Sequence, residues 1–186
     1  SAAFMTSGQI AAILGVILAI PLAGKIGKKN TFLLSGLVCA VLSILFFFIP
    51  PHQIIFIFLI NLFIGMSSSI VFPLIWSIYG DISDYSEWKT GRRATGLIFS
   101  SSSMSQKLGW TIGGAISGWT LSAFGFVANE IQTDESIMGI RLMISFFAAG
   151  GALLSVAFMY YYPLSEDYIS EIKEELEKNR SKTKSN

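Results

Sequence analysis

The chain has 186 residues, of which 52% are hydrophobic and only 13% charged, and its mean hydropathy is +0.60. That balance excludes an ordinary soluble domain. The net charge of +1 points to no partner by itself, and no nucleic-acid partner is expected. Fifteen Phe residues suit a lipid-facing surface, and the single cysteine, Cys39, leaves no disulfide within the chain.

A helix needs about 20 apolar residues to cross a bilayer. Lipid leaves only helices or closed barrels as options, and strict apolar/polar alternation is absent. Five helical spans are therefore predicted, over residues 3–22, 31–49, 54–79, 94–123 and 139–162. Together they make 1–163 an all-α integral membrane domain, with 164–186 as a polar tail. The first apolar run starts within three residues of Ser1, with no Met, basic leader or flanking loop, which reads as a fragment.

Orientation follows from the bases. Lys25, Lys28 and Lys29 follow the first span, Lys89, Arg92 and Arg93 the third, and five more lie in the tail. The alternate loops, 50–53 and 124–138, contain none. An external N-terminus and a cytoplasmic tail satisfy this pattern, with Arg141 as an exception that snorkels to the headgroups. The multi-pass chain is then expected in the plasma (inner) membrane, with lipid around it.

The loop 24–30, GKIGKKN, is a tight basic turn. In the third span, Pro73 removes a backbone hydrogen bond and predicts a kink. Ser67, Ser68 and Ser69 near it serve packing or line a cavity, and both readings stand. Phe72 and Trp76, four apart, share a face that meets either lipid or a ligand.

In the fourth span Ser100, Ser103, Lys107, Trp110, Thr111 and Gly114 fall at helical spacings as one polar stripe. Gly109 with Gly113, and Gly114 with Gly118, are pairs that admit a close neighbouring helix. Lys107 lies about 20 Å beyond Arg93 along the axis, too deep to snorkel. An isolated charge there costs at least about 2.5–3.5 kcal/mol. It is either a structural ion-pair partner or a group facing a wet cavity, and no acid occurs within the five spans to pair with it.

Between the third and fourth spans, DISDYSEWKTGRR packs six charges, Asp81, Asp84, Glu87, Lys89, Arg92 and Arg93, into thirteen residues. The three acids share a face if the helix continues past the membrane. They oppose the helix dipole and need bases, which Arg92, Arg93 and the lysines of 24–30 supply. Either this is a solvated loop or it is a cytoplasmic gate held by salt bridges. The tail, PLSEDYISEIKEELEKNR, is predicted to form an amphipathic helix with Ser165 as N-cap. Ile169, Ile172 and Leu176 give it a narrow apolar stripe that docks loosely. The final SKTKSN is expected to be disordered. No phosphate-binding glycine loop and no metal-spaced Cys/His set occurs, and His52, the single histidine, falls in an external loop. An enzyme reading has no residues to rest on.

DISDYSEWKTGRR followed by SQKLGW resembles the glycoside–pentoside–hexuronide:cation symporter family, to which melibiose permease belongs. The family pattern D-x-x-D-Y-x-E is met by Asp81, Asp84, Tyr85 and Glu87, and K-T-G-x-R by Lys89, Thr90, Gly91 and Arg93. Lys107 falls where the family carries its sugar-site lysine, and the variant is most similar to the xyloside and oligosaccharide branch. The loop 24–30 is similar to the family's basic loop, with Gly24 where an aspartate is usual.

The resemblance implies a twelve-helix major facilitator fold, with these five spans as most of its C-terminal six-helix bundle. One helix of this half and the entire N-terminal half would be absent, and with them the acidic site for the coupling cation, Na+ or H+. No other cofactor is implied. Gln106, Ser103 and Ser102 take sugar-proximal positions, and Phe72 stands where melibiose permease has Trp, with Trp76 one turn on. The implied gate is Asp81, Asp84, Tyr85, Glu87, Arg92, Arg93, Lys25 and Lys28. The expected function is sugar:cation symport by alternating access. Two rivals stay open: transport of a non-sugar solute, and a five-helix accessory or structural membrane protein.

Overall fold

The computed structural model describes residues 2–50 and 52–184, with side chains for 6–50 and 52–181. Apart from short connections, the described residues are helical. α1 is Ala2–Ile26, α2 Lys28–Phe48, α3 Ile54–Thr90, α4 Thr95–Ala123, α5 Asp134–Tyr160 and α6 Glu166–Lys184. Within α5, Met143–Phe147 is wound as a π-helix.

By length and apolar composition, α1 from Thr6, α2, α3 and α5 qualify as membrane spans. α4, expected as a fifth, is 29 residues long but too polar to qualify. Its run of serines, Gln106, Lys107 and five glycines dilutes the hydrophobic residues. Such a helix is stable in a bilayer when its polar face is covered by protein or water.

α1 and α3 make the closest helix pair, because glycines let their backbones approach. A Cβ on Gly15 would come within 2.3 Å of the Met66 carbonyl oxygen, and one on Gly65 would touch the Ala11 Cβ at 3.0 Å. Gly36 of α2 accommodates Val156 of α5 in the same way, where a Cβ would lie 2.5 Å from Val156 Cγ2. The core between α1, α2 and α3 is Ala19, Phe32, Ile70 and Leu74. The α4 glycines singled out by spacing behave differently. Gly109, Gly113, Gly114 and Gly118 face open space, and no residue of α4 is buried. α4 stands off from the other helices, leaving an apolar cleft of about 900 Å³ lined by Phe32, Ile75, Tyr79, Gly109, Leu154 and Phe158.

Several helix ends depart from the sequence expectation, α1 running on to Ile26 and α2 starting at Lys28. α3 does not stop at residue 79 but runs through the charged stretch to Thr90. Gly91 ends it in the left-handed conformation, φ 68°, its N–H donating to Glu87 O at 2.8 Å. α5 begins five residues before the expected 139, because the Thr133 hydroxyl accepts from Ser136 N at 3.2 Å, with Asp134 and Glu135 in the first turn. α6 continues to Lys184, through four of the six residues expected to be disordered. Ser185 and Asn186 lie outside the described residues.

The Arg141 guanidinium reaches across to α2, donating to Phe47 O at 2.5 Å and Ile49 O at 2.9 Å while lying over the Phe47 ring. It supplies donors to carbonyls that the end of α2 leaves unpaired.

Candidate functional site

Two groups of side chains carry the chemistry. The first lies along α4. Ser100, Ser103, Met104, Lys107, Leu108 and Thr111 line one open groove. The helical spacing of this stripe brings them together, and the serine and threonine hydroxyls are compatible with the helix by bonding backward. Ser100 Oγ donates to Leu97 O at 3.0 Å and Thr111 Oγ1 to Lys107 O at 2.9 Å. The Lys107 side chain is exposed, and no carboxylate among the described residues lies within ion-pair distance of it. Ser102 and Gln106, four apart, occupy the neighbouring, half-buried face.

Trp76 is tied to α4 through Phe99, with ring centroids 5.7 Å apart. Tyr79 closes the trio, 5.9 Å from each. The spacing of Phe72 and Trp76 pointed to this face of α3, but Phe72 itself is 61% exposed and joins no ring contact among the described residues. Tyr79 and Phe99 were not singled out. Trp76 and Tyr79 are three apart, a spacing that also shares a helix face, so that pair was open to sequence reading; nothing local links Phe99 to α3.

The second group is the hinge. α3 carries Asp81, Asp84 and Glu87 on its overhang, and each carboxylate has a base. Asp81, 5% exposed, pairs with Lys28 from the start of α2 and with Lys173 of α6, the latter at 2.7 Å. Asp84 forms an ion pair with Arg93 at 3.1 Å. Glu87 is held by Arg180 of α6 through two bonds of 3.1 and 2.5 Å, with Arg93 at 3.6 Å. Tyr85 packs against Trp88 and Tyr168, and Lys89 lies over its ring. Lys25 and Arg92 make no ion pair among the described residues.

Sequence spacing missed the contribution of α6. Instead of docking loosely, it buries Leu164, Ile169, Ile172 and Leu176 against Ile82, Tyr85 and Tyr162. Glu175 accepts from Trp88 Nε1 at 2.6 Å, and Glu166 from Lys28 N at 2.6 Å, which caps the start of α2. Gly27 makes room for that cap. Its φ of 83° suits glycine, and a Cβ there would sit 3.1 Å from Glu166 Cγ. Lys29 Nζ donates to Tyr162 O at 2.6 Å. Burial, then the carboxylates of Asp81 and Glu166, pushes the Tyr162 phenol well above its ordinary range, so it stays neutral.

A family model described as MFS/sugar transport protein matches residues 1–166. The chain belongs to that family. Within it, the chain is 33% identical over 174 residues to the glucuronide carrier protein homolog of Escherichia coli K12, covering 91% of this chain and 38% of that one. It is 32% identical over 176 residues to an inner membrane symporter of the same organism, YicJ, covering 94% and 38%. It is 33% identical over 162 residues to the isoprimeverose transporter of Lactiplantibacillus pentosus, covering 86% and 34%. The chain thus spans less than two fifths of the length of these relatives. They are transporters, which places the resemblance in the hinge and Lys107 motifs within the glycoside–pentoside–hexuronide:cation symporters. As a member of this family, the chain is multi-pass and membrane-embedded.

Proposed function

We propose that the chain forms the C-terminal half of a secondary active transporter that couples sugar entry to a cation, Na+ or H+, by alternating access. The observation that carries this is α4. A 29-residue helix with one charge presents Ser100, Ser103, Lys107 and Thr111 along one open groove, and none of its residues is buried by the rest of the chain. In a membrane, such a face requires a water-filled cavity or another protein half. Relatives named for glucuronide and isoprimeverose transport support a glycoside as the solute.

In this reading Lys107, Gln106, Ser103 and Ser102 donate to sugar hydroxyls, while Trp76, backed by Phe99, offers an apolar face, with Phe72 one turn away. The coupling cation binds acids of the N-terminal half, which also partners Lys107. The hinge and α6 lie on the cytoplasmic side of the inner membrane, where Asp84, Glu87 and Arg93 close the gate. No chemical step is performed on the solute.

The test is uptake by the full-length protein from a panel of labelled glycosides, hexuronides, nucleosides and amphiphiles, with and without Na+ or pH gradients. Gradient-driven accumulation of a glycoside or hexuronide supports the reading. Accumulation of only a non-sugar solute, or of nothing by well-expressed protein, contradicts it.

A further inference from the structure

The hinge ion pairs differ less in the exposure of their bases than in what lies beside them. Lys173, Arg180 and Arg93 keep 45%, 46% and 48% of their side-chain surface exposed. The pairs made by α6 flank an apolar seam in which Ile172 is 2% exposed, Ile169 4% and Leu176 7%, and Asp81 itself is 5% exposed. Arg93, in the loop after α3, is not part of that seam. Parting α6 from α3 uncovers the seam and strands the Asp81 carboxylate, whereas Arg93 exchanges partners with water at small cost.

α6 is also in register with the overhang of α3. Asp81 and Glu87 are six residues apart, about 9 Å along the helix, and their α6 bases, Lys173 and Arg180, are seven apart, about 10.5 Å. Both contacts advance in the same chain direction, so the two helices run parallel as a strapped pair. The Trp88–Glu175 bond lies between the same two helices, and Glu166 with Lys29 fixes the near end of α6 to α2 and to Tyr162.

We propose that α6 is a permanent clamp on the hinge. It travels with the α3 overhang as one rigid body throughout transport, and the pairs that break and re-form in gating are those of Arg93 with Asp84 and Glu87. The proposal rests on the gate role given to the hinge. It adds that the C-terminal helix presents the gate acids and never releases them.

The test is a cysteine pair, Trp88→Cys with Glu175→Cys, in an otherwise cysteine-free background of the full-length transporter, bridged by a reducible bis-thiosulfonate reagent of about 10 Å, because the two long side chains meet at their tips and a direct disulfide needs closer Cα atoms. Cross-linking is followed by loss of free thiols, and sugar uptake is measured before the reagent, after it and after reduction. The clamp predicts efficient cross-linking and uptake within about twofold of the reduced protein. Uptake blocked by the cross-link and restored by reductant overturns it, as does failure of the pair to cross-link.

Tryptic cleavage at the exposed Lys178 in native membranes supplies an arm without cysteines. The clamp predicts equal cleavage rates with and without sugar, and a tenfold or greater change contradicts it. Arg93→Gln, assayed in parallel, separates the two ideas. If it leaves the rate of conformational exchange unchanged, the gate role fails whatever the cross-link shows. If it slows exchange while the cross-link blocks uptake, only the clamp fails.

Discussion

Asp81 accepts a 2.7 Å hydrogen bond from Lys173, a residue 92 positions later in the chain and on a different helix. With Lys28 on its other oxygen, this 5%-exposed carboxylate ties together α2, α3 and α6. Each base shields it from the cost of an unpaired buried charge. Lys28→Ala and Lys173→Ala should each lower stability by about 1.5–3 kcal/mol, the worth of a hydrogen bond to a charged group. The double variant should lose more than the sum, because it alone strands the carboxylate. Denaturant unfolding of purified protein in detergent reads this. Strict additivity would mean that the two bases do not share one acid.

Arg141 should behave as a cap. Arg141→Ala leaves the carbonyls of Phe47 and Ile49 without its donors, at a cost of about 1–3 kcal/mol for groups cut off from water. Arg141→Lys should recover only part, since one ammonium does not reproduce a planar fork. Thermal unfolding checks both. An Ala variant as stable as the parent would return Arg141 to the headgroups.

The orientation assigned from the bases is open to thiol labelling. In a Cys39→Ser background, Ile131→Cys, on a fully exposed residue between α4 and α5, should react with an impermeant maleimide on intact cells. Lys89→Cys in the hinge should react only after the membrane is opened. Labelling of both from outside would invert the topology and remove the cytoplasmic gate.

Arg93 bridges Asp84 and Glu87 while nearly half exposed, so its pairs are weak and salt-sensitive. Arg93→Gln or Asp84→Asn in the full-length protein should slow translocation about tenfold or more, while sugar affinity changes less than threefold. Stopped-flow exchange and equilibrium binding separate the two. Loss of binding with unchanged exchange would remove the gate role.

How much of this was legible in the sequence depended on the range of each interaction. The spans were visible because twenty apolar residues declare themselves locally. The stripe through Ser103, Lys107 and Thr111 was visible because helical spacing alone places those residues together. The three hinge acids were correctly put on one helical face, and Arg93 and Lys28 were among the bases named for them. Lys173 and Arg180 were not, because both lie on α6 and only its packing brings them within reach. Glycine spacing misled for a related reason. A small-xxx-small pair marks where a helix can approach, not whether one does, and the close approaches fall at Gly15, Gly36 and Gly65. The start of α5 was missed because the Thr133 cap lies in a polar loop, outside the apolar run.

Lys107 tests the whole account most directly. Its ammonium, exposed on the polar face of α4, can donate to sugar hydroxyls and pair with cation-site carboxylates of the other half. A charge that serves both links the two binding equilibria by one coupling free energy. The measurement is sugar accumulation driven by a Na+ or proton gradient in the full-length protein, with surface expression followed in parallel. Lys107→Ala is predicted to reach the membrane normally and to abolish accumulation, and Lys107→Arg to restore less than about a tenth, because a planar fork does not replace a point charge. Near-normal accumulation by Lys107→Ala would contradict the account, leaving Lys107 a structural residue and α4 without its proposed coupling role.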